Sequence, residues 1–405
     1  MSRRRVVVTG MGAVTAVGNK TPAFWRSLKE GQSGIKHITI FDTSAYRSHN
    51  GGEVSSLSPE RHFPLQELRR LSRCDQFGLI AAREAMHDSA ADPAASDREK
   101  FGIILGADSG GILSVEKYFR AIYTHASKRP SPSLLLSFSL ATATDHIAHE
   151  FDLRGPRTTT ATVCSSSAAA IAFAYDAIVC GEADMMISGG SDSLCEVTYA
   201  GFNSLRAIDP AGCRPFDKKR QGLSLGEGAG ILILEELDHS RDRSAKQWGE
   251  VLGYGICAEA HHLTAPESSG EGIARCIKLA LADAGVVPEE VDYINAHGTG
   301  TPLNDVVETR GIKMVFGKKA YEIPISSIKS MIGHCLGSAG AIEAIATLLS
   351  LNEGVIPPTI NYTTSDPECD LDYTPGKARE KDMRIAISNS FAFGGNNVSL
   401  VFGRV

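Results

Sequence analysis

The chain repeats one pattern twice, and this internal repeat constrains the fold more than any other feature of the sequence. In the first half an apolar run enters a glycine-rich loop, Phe101–Gly111, and a helix of small residues follows from Ser165. The second half has the equivalent loop at Val291–Thr301 and an equivalent small-residue helix from Ser338. Each half ends in two apolar runs joined through glycines, which we interpret as an internal duplication. The two predicted domains are residues 1–250 and 251–405.

Short apolar runs of strand length alternate with longer stretches of helical composition. The runs predict buried strands at Arg5–Thr9, Phe101–Gly106, Met185–Gly189, Gly230–Glu235, Val291–Ala296, Ile323–Ser327, Met383–Ser388 and Val398–Phe402. Helices are predicted between them at Gln76–Ser89, Ser165–Cys180, Gly270–Ala284, Asp305–Val315 and Ala339–Leu351. This alternation is typical of an α/β protein with largely buried sheets.

Charge and cysteine usage exclude several classes of function. The net charge of −6 argues against general nucleic-acid binding, which needs a basic surface. The nine cysteines are odd in number and never spaced as CxxC, so a disulfide framework or zinc ribbon is not expected and a reducing compartment fits. No stretch approaches the roughly 18 apolar residues of a membrane span, and the apolar run at the basic start is too short for a signal peptide. We therefore expect a cytoplasmic, soluble protein.

Cys164 lies where a run of threonine and valine ends and a small-residue helix begins, within Thr160-Ala-Thr-Val-Cys-Ser-Ser-Ser-Ala-Ala-Ala170. A cysteine at such a turn faces unpaired backbone N–H groups of the first helical turn. The positive end of the helix favours thiolate over thiol, so we expect a lowered pKa and a reactive nucleophile. A buried structural role is the alternative, and it is the interpretation we favour for the other cysteines.

Two histidines occupy similar places after predicted strands. His297 lies in Asn295-Ala-His-Gly-Thr-Gly-Thr-Pro302, where glycines allow a tight turn that exposes the imidazole at the sheet edge. His334 lies between a strand and the small-residue helix that begins near Ser338. Each histidine alone is as readily structural as catalytic. Together with Cys164, all at strand ends beside glycine turns, they predict one shared site.

Two weaker motifs favour other functions. Gly10-Met-Gly12 follows the first strand as a dinucleotide-binding loop does, but position 15 is Thr and the third glycine is missing, so nucleotide binding is not favoured. His146 and His149 lie three residues apart on a probable helix, a spacing that could ligate a metal. A solvated polar face is the favoured interpretation, and no metal is predicted.

Four motifs, in this order, resemble those of the β-ketoacyl-acyl-carrier-protein synthases, most closely the type II elongating synthases. They are Thr162-Val-Cys164-Ser-Ser, Asn295-Ala-His297-Gly-Thr-Gly-Thr, Ser327-Ile-Lys329-Ser-Met-Ile-Gly-His334 and Asn389-Ser-Phe-Ala-Phe393-Gly-Gly. The resemblance runs from Val6-Val-Val-Thr-Gly-Met-Gly12 to the end of the chain. It implies a thiolase fold, with duplicated α/β halves in a layered α-β-α-β-α arrangement, and ketosynthase activity in fatty-acid elongation.

The resemblance also implies roles for the motif residues. Cys164 would carry the incoming acyl chain. His297 and His334 would activate a malonyl thioester for decarboxylation and stabilise the enolate oxygen. Lys329 would lie behind the histidines, paired with Glu343.

Further roles concern the path of the substrate. The backbone N–H groups of Cys164 and Phe393 would form the oxyanion hole. Thr299 and Thr301 would hydrogen-bond the phosphopantetheine arm of the carrier protein. Phe391 and Phe393 would form a gate beside the acyl pocket. No cofactor would be bound apart from that arm, which presents the substrate.

Basic residues match positions at which the family meets its acidic carrier protein: Arg69, Arg70, Lys128, Arg129 and Arg206. Basic spots on an acidic protein would steer that partner and suppress nonspecific anion binding. The family resemblance further implies a homodimer, with a heterodimer of related subunits left open.

Several positions depart from the family pattern. Val163 stands where Ala is usual, a run of serines at 165–167 replaces Ser or Thr followed by Gly, and Asn396 replaces Thr. Glu259 stands where a mobile gating loop usually carries Asp. Ser109 replaces a larger aliphatic residue at the expected floor of the acyl pocket, which predicts longer or unsaturated chains. These departures leave the chemistry intact and leave the choice of acyl chain open.

Four other functions are alternatives to that of an elongating synthase. A ketosynthase of a specialised polyene or polyketide pathway would use the same mechanism on a different chain. A thiolase acting on coenzyme A would need a second catalytic cysteine in a C-terminal Cys-x-Gly, and towards its end the chain has Gly394-Gly-Asn-Asn-Val without one. A non-catalytic chain-length subunit is disfavoured by the intact Cys164, and an initiating synthase by His334, where that group has Asn.

Overall fold

The computed structural model describes residues 3–93, 97–124 and 129–405. Its strands are β1 (Val6–Val14), β2 (Lys36–His37), β3 (Asn50–Gly51), β4 (Phe101–Gly106), β5 (Arg157–Thr160), β6 (Met185–Asp192), β7 (Gly228–Glu236), β8 (Gly249–Ala258), β9 (Tyr293–Asn295), β10 (Ile325–Ser326), β11 (Val355–Ile356), β12 (Arg379–Glu380), β13 (Ile385–Phe391) and β14 (Asn396–Gly403).

Its helices are α1 (Thr21–Lys29), α2 (Leu65–Leu68), α3 (Arg73–Ser89), α4 (Ile112–Tyr123), α5 (Thr142–Glu150), α6 (Ser166–Val179), α7 (Glu196–Ser204), α8 (Leu237–Asp242), α9 (Glu271–Ala284), α10 (Pro302–Phe316), α11 (Lys329–Ile332) and α12 (Ala339–Glu353). None of the helices within the described ranges is both long and apolar enough to cross a bilayer.

The strand order shows the duplication directly. The first half orders its strands β1-β7-β6-β4-β5, and the second half orders its strands β8-β14-β13-β9-β10. Each strand of one half therefore has a counterpart at the same place in the other. The two half-sheets join where β1 runs antiparallel to β8, through three residue pairs from Val6↔Val251 to Val8↔Gly249. The predicted duplicated α/β fold is confirmed, with the addition that the two layers share hydrogen bonds at this seam.

The helices cover the half-sheets in layers. Helices α3 and α5 pack on the outer face of the first half, and α9 packs on the outer face of the second with α10 against it. Between the half-sheets lie α6 and α12, which contact each other and strands of both halves. These central helices are rich in Ala, Gly and Ser, and small side chains allow the close approach of the layers on either side. Their N-terminal ends position the functional turns.

Most predicted elements are observed within a few residues of their predicted bounds, but two differences matter. β8 was not predicted, because the glycines of Gly249–Ala258 interrupt its apolar run. β1 continues through Gly10 and Gly12 instead of ending in a loop. A Cβ at Gly12 would lie 1.9 Å from the carbonyl oxygen of Ala81 on α3. These glycines therefore serve close packing of a strand on a helix, not phosphate binding.

Candidate active site

A cavity of about 330 Å³ opens beside Cys164. Most of the predicted site residues line it: Cys164, His297, His334, Thr299, Thr301, Phe391, Phe393, Glu259 and Arg206. Lys329 and Glu343 are buried behind its wall. Further residues line the cavity that the sequence did not predict, because nothing in the sequence distinguishes them from ordinary core and loop positions. They are Phe202, Leu205, Leu223, Thr264, Pro266, Ile273, Leu303 and Asn397.

Cys164 sits in a tight turn between β5 and α6. The strand ends at Thr160, earlier than predicted, and a single turn of 3₁₀ helix, Val163–Ser165, precedes α6. Val163 has φ +58°. A β-branched residue is rarely found in the left-handed region, so this turn stores backbone strain at the position next to Cys164.

The serines after Cys164 hold this turn in place. The Ser165 hydroxyl donates to the Thr162 carbonyl at 2.9 Å, and the Ser166 hydroxyl donates to the Val163 carbonyl at 2.7 Å. The Ser167 hydroxyl accepts the backbone N–H of Ala341 in α12 at 2.9 Å. The serine run that departs from the family pattern thus fastens the Cys164 turn to itself and to the other half.

The thiol of Cys164 is deeply enclosed. Burial raises its pKa to about 12, and the nearby Asp108 carboxyl acts in the same direction. The backbone N–H groups of Phe393 and Cys164 and the ammonium of Lys329 act to lower this pKa without cancelling burial. The predicted lowering of the Cys164 pKa is therefore wrong here, because desolvation of the thiolate outweighs the donors that face it. Both N–H groups assigned to the oxyanion hole do face the sulfur.

His297 is fixed at both its backbone and its ring. Its N–H and that of Gly298 donate to the two carboxylate oxygens of Glu308 on α10, each at 2.8 Å. Its ring Nδ1 lies 3.4 Å from Nζ of Lys329 and accepts from it, which leaves the proton on Nε2. Glu308 was not predicted, because a single acidic residue on a helix gives no sign that it will bind a distant loop.

His334 has the same tautomer for a different reason. Its Nδ1 accepts the backbone N–H of Leu336 at 3.1 Å, so Nε2 carries the proton. That Nε2 is buried, and no group in the described residues accepts from it. A buried donor without a partner is costly, and the ring lies on the cavity wall beside His297, at a centroid distance of 5.4 Å. Both rings are thus arranged to donate N–H groups.

A buried ion pair stands behind the two rings. Nζ of Lys329 contacts the Glu343 carboxylate, and both side chains are buried. Burial lowers the pKa of His297 and of His334 well below the ordinary value, and the Lys329 ammonium lowers both further. The histidines are therefore neutral at pH 7. Burial raises the pKa of Glu343 to about 7, against the opposing effect of Lys329.

Segments that contact each other through hydrogen bonds and an aromatic pair form the mouth of the cavity. The Glu259 carboxylate accepts a hydrogen bond from Nδ2 of Asn397 and another from the backbone N–H of Glu267, both at 2.8 Å. Phe393 stacks on Phe202 with ring centroids 5.6 Å apart. Glu259 thus fastens the segment 259–270 to the start of β14, which directly follows the turn that supplies the N–H of Phe393.

The remaining predicted residues fall into three groups. Thr299 and Thr301 are hydrogen-bonded through their hydroxyls at 3.0 Å and face the cavity. Arg206 lies at its mouth with an exposed side chain, and Arg69, Arg70 and Arg129 are exposed on the surface. Lys128 lies outside the described residues.

Ser109 is not among the residues that line the cavity, so its placement at the pocket floor is not observed. Its hydroxyl bonds that of Thr198 at 2.9 Å, and its N–H donates to Asp192 at 2.9 Å. Asp192 also accepts the N–H groups of Asp108 and Gly110 from the same loop, which holds the backbone of this loop in place. The opened acyl pocket inferred from Ser109 stays a prediction. His146 and His149 belong to no group of metal-ligating residues in the described ranges.

The duplicated layered fold, with a cysteine and two neutral histidines meeting at one cavity, defines a thiolase-fold enzyme of acyl transfer and condensation. Comparison with known proteins names the family. "Beta-ketoacyl synthase, N-terminal domain" matches residues 3–240, and "Beta-ketoacyl synthase, C-terminal domain" matches residues 248–363. The chain belongs to the beta-ketoacyl synthase family.

Curated relatives and solved structures match this chain over almost its whole length. It is 42% identical over 409 residues to 3-oxoacyl-(acyl-carrier-protein) synthase 2 of Synechocystis sp., covering 99% of this chain and 98% of the relative. It is 39% identical over 412 residues to the protein of the same name from Coxiella burnetii, covering 100% of both. The solved ishigamide ketosynthase/chain length factor superposes with a TM-score of 0.94, at 38% identity and covering 100% of both chains.

A further solved structure bears on partners. It is described as a type II polyketide synthase acyl-carrier protein in complex with its ketosynthase bound to the hexaketide, and it matches with a TM-score of 0.92 at 33% identity, covering 100% of both chains.

Proposed function

We propose that this enzyme condenses an acyl group held on Cys164 with malonyl-acyl-carrier protein, giving a β-ketoacyl-carrier protein, carbon dioxide and a free thiol. The observation that carries the proposal is the convergence of Cys164, His297 and His334 on one cavity, where the Nε2–H of His334 has no acceptor among the described residues. Fatty-acid elongation is the setting, since the full-length curated relatives are named 3-oxoacyl-(acyl-carrier-protein) synthase 2.

In the first step the Cys164 sulfur attacks the thioester of the incoming acyl-carrier protein. A carbon–sulfur bond forms, the phosphopantetheine sulfur leaves, and that sulfur takes up the proton released by Cys164. One thioester replaces another, so the step is nearly balanced in energy. The tetrahedral oxyanion is held by the N–H groups of Cys164 and Phe393, which face the sulfur.

In the second step malonyl-carrier protein loses carbon dioxide. The electrons of the broken carbon–carbon bond form an enolate, whose oxygen accepts Nε2–H donors from His297 and His334. Neutral donors suffice in a dry cavity, and the lowered pKa values keep both rings neutral. The enolate carbon then attacks the acyl-Cys164 carbonyl, and the Cys164 sulfur leaves as a thiolate that takes a proton from solvent.

The carrier protein is proposed to dock beside the cavity mouth. Arg206 is exposed there, while Arg69, Arg70 and Arg129 provide further exposed positive charge. Thr299 and Thr301 present hydroxyls that suit the amides of a phosphopantetheine arm. That arm is the only prosthetic group the mechanism needs, and it arrives with the substrate.

A homodimer in the cytoplasm is proposed for this enzyme. β5 is an edge strand of the sheet, and Arg157 and Thr158 on it are exposed. An edge strand with unpaired N–H and C=O groups favours pairing with a second chain. All nine cysteines are free thiols, which fits a reducing compartment.

A specialised ketosynthase is the second candidate, because the solved structures at 38% and 33% identity include polyketide-type ketosynthases. An elongation assay separates the two. Purified enzyme, malonyl-carrier protein and a panel of saturated and polyunsaturated acyl-carrier proteins are mixed, and products are identified by mass. Elongation predicts two-carbon extension of saturated chains; extension of polyunsaturated chains alone would favour the specialised pathway. No extension of any chain would overturn both.

A further inference from the structure

The threonine turn, residues 299–302, is held in place by a segment of the first half that lies between α7 and β7. The backbone N–H of Gly222 in that segment donates to the carbonyl of Gly300 at 3.0 Å. The Cys213 thiol donates to the carbonyl of Thr299 at 3.2 Å. The conformation of the turn therefore depends on a part of the chain up to 86 positions away.

Arg220 of that segment reaches the same turn with its side chain, which is only 6% exposed. Its Nε donates to the carbonyl of Thr301 at 3.3 Å, and its Nη2 donates to the carbonyl of Pro302 at 3.2 Å. Its Nη1 pairs with the Asp366 carboxylate, and its Nε also lies 3.8 Å from Oδ2 of Asp305. Every guanidinium nitrogen therefore has a partner, and the planar group fixes the two carbonyls relative to each other.

Asp305 holds the threonine turn from the start of α10. Its Oδ1 accepts the N–H of Gly300 at 3.1 Å, and its Oδ2 accepts the N–H of Phe216 at 2.7 Å, so it also joins the turn to the first-half segment. Asp305 is fully buried, and a buried carboxylate needs the positive charge that Arg220 supplies. Arg220 and Asp305 together thus bind the backbone of three successive residues of the turn.

The hydroxyls of Thr299 and Thr301 stand on this fixed backbone. Both residues line the cavity, and their hydroxyls hydrogen-bond each other at 3.0 Å. A ligand with amide groups needs both hydroxyls at defined positions, because a hydrogen bond weakens steeply once its angle departs from the preferred range. A displaced turn should therefore weaken the binding of an arm that carries amides.

The donors for the enolate are held by other groups. The N–H of His297 donates to Glu308, and its Nδ1 accepts from Lys329. In the described ranges the hydrogen bonds and ion pairs of Arg220 go to neither His297 nor His334. Loosening the threonine turn should therefore change the binding of the arm much more than the chemistry.

We propose that Arg220 is a positioning residue for the pantetheine arm, acting through the threonine turn to place the hydroxyls of Thr299 and Thr301. The inference rests on the proposed function, in which that arm presents the substrate. Arg220 does not line the cavity, and it acts through the carbonyls behind the hydroxyls. Its loss removes binding that is equal in the ground state and the transition state, which raises KM and leaves kcat unchanged.

Acylation of Cys164 by two thioesters, followed by mass, tests the proposal. Acyl-pantetheine carries the amides of the arm, and the S-methyl thioester of the same acyl chain has none. Arg220→Lys keeps the positive charge beside Asp305 and Asp366 but has no rigid fork to hold both carbonyls. Its half-saturating concentration of acyl-pantetheine should rise about tenfold, as expected for the loss of a hydrogen bond or two. Its limiting rate with acyl-pantetheine, and its second-order rate with the S-methyl thioester, should change less than about twofold.

Arg243→Lys is the matched control. Arg243 pairs with the buried carboxylate of Glu235, and its described contacts, to Glu235 and Ser89, do not include the threonine turn. This variant should react with both thioesters as the wild type does. Equal loss on both thioesters in Arg220→Lys would refute the positioning role, since general structural damage does not distinguish them. No acylation of the wild type by either thioester would refute the proposed function, and this inference with it.

A double-variant cycle tests whether Arg220 acts through the hydroxyls. In a Thr299→Val, Thr301→Val protein, Arg220→Lys should raise the half-saturating concentration of acyl-pantetheine by less than about a further twofold, because coupled residues are not additive. A further tenfold rise would overturn the proposal. Asp366→Asn keeps the guanidinium and weakens one of its partners, so it should raise the same concentration about threefold in a milder background. Unchanged binding of acyl-pantetheine in Asp366→Asn and Arg220→Lys would likewise overturn the proposal.

Discussion

The two halves of the molecule build the same turn before their central helices, but only one turn carries the proposed nucleophile, Cys164. Before α6 the turn is Val163–Ser165, and before α12 it is Leu336–Ser338. Each begins with a residue in the left-handed region, at φ +58° for Val163 and +52° for Leu336. The position that holds Cys164 in the first turn is held by Gly337 in the second.

The surroundings of the two turns explain this difference. The Cys164 side chain opens onto the cavity, and its N–H faces its own sulfur. A Cβ at Gly337 would lie 2.6 Å from a carboxylate oxygen of Asp192 and 2.7 Å from the backbone of Ala107, and its N–H already donates to Asp192 at 2.7 Å. The second turn therefore packs against the first half and is hydrogen-bonded to it through Asp192. Its proposed contribution to the chemistry comes from His334, two residues before this turn.

Replacing the nucleophile should have the largest effect on activity. Cys164→Ala is expected to reduce condensation at least about 10⁴-fold, as removal of an enzyme nucleophile commonly does. The fold should survive, because alanine suits a turn surrounded by small residues. Thermal unfolding and product mass measure the two effects separately. Condensation at near wild-type rate would show that the first turn is not the nucleophilic one.

The alkylation rate of Cys164 should depend steeply on pH. A thiol with a pKa of about 12 is almost wholly protonated at neutral pH, so its thiolate fraction rises tenfold per pH unit. Reaction with iodoacetamide, followed on the Cys164 peptide, should accelerate about a hundredfold from pH 7 to pH 9. A rate that levels off near pH 7 would mean that the helix start governs this thiol after all.

A side chain at the second turn should destabilise the fold. Gly337→Ala is expected to lower the free energy of unfolding by about 1–3 kcal/mol, since Asp192 and the backbone of Ala107 must move. Gly201→Ala is the matched control, because nothing lies within 4 Å of a Cβ placed there. Denaturant unfolding of both variants gives the comparison. Equal stability of the two would remove the steric reason for having only one nucleophile.

Low pH should destabilise the folded protein, because His297 and His334 are held neutral in it. The folded-state pKa values of His297 and His334 lie below the unfolded value of about 6.5, so below that pH the unfolded chain binds protons preferentially. Stability should therefore fall as pH drops through about 6.5, by up to about 1.4 kcal/mol per pH unit for each histidine.

Glu343 works in the opposite direction, because its pKa is raised in the folded state and protonation below about pH 7 favours folding. The measurement is therefore the difference in unfolding free energy between wild type and a His297→Asn, His334→Asn double variant, from pH 8 to pH 5.5. The gap should narrow or reverse toward acid; a constant gap would mean that the rings are not held neutral.

The sequence predicted what depends on local pattern. The alternation of strands and helices, the duplication and the positions of Cys164, His297 and His334 all follow from short motifs with their own glycines. It did not predict what depends on burial and distant contacts. The raised pKa of Cys164 comes from burial, and the backbone N–H of Ser109 is held by Asp192, a residue 83 positions away.

We propose that the two halves divide the chemistry: the first supplies the nucleophile and the second supplies the donors for the enolate. One paired measurement tests it most directly. Cys164→Ala and a His297→Ala, His334→Ala double variant are each given malonyl-carrier protein and, separately, acyl-carrier protein. Carbon dioxide release and acylation of the enzyme are followed by mass.

We predict opposite results for the two variants. Cys164→Ala should still release carbon dioxide without becoming acylated, while the histidine variant should accumulate acyl-Cys164 without releasing carbon dioxide. Loss of both reactions in both correctly folded variants would contradict the division of labour, since each step would then need both halves.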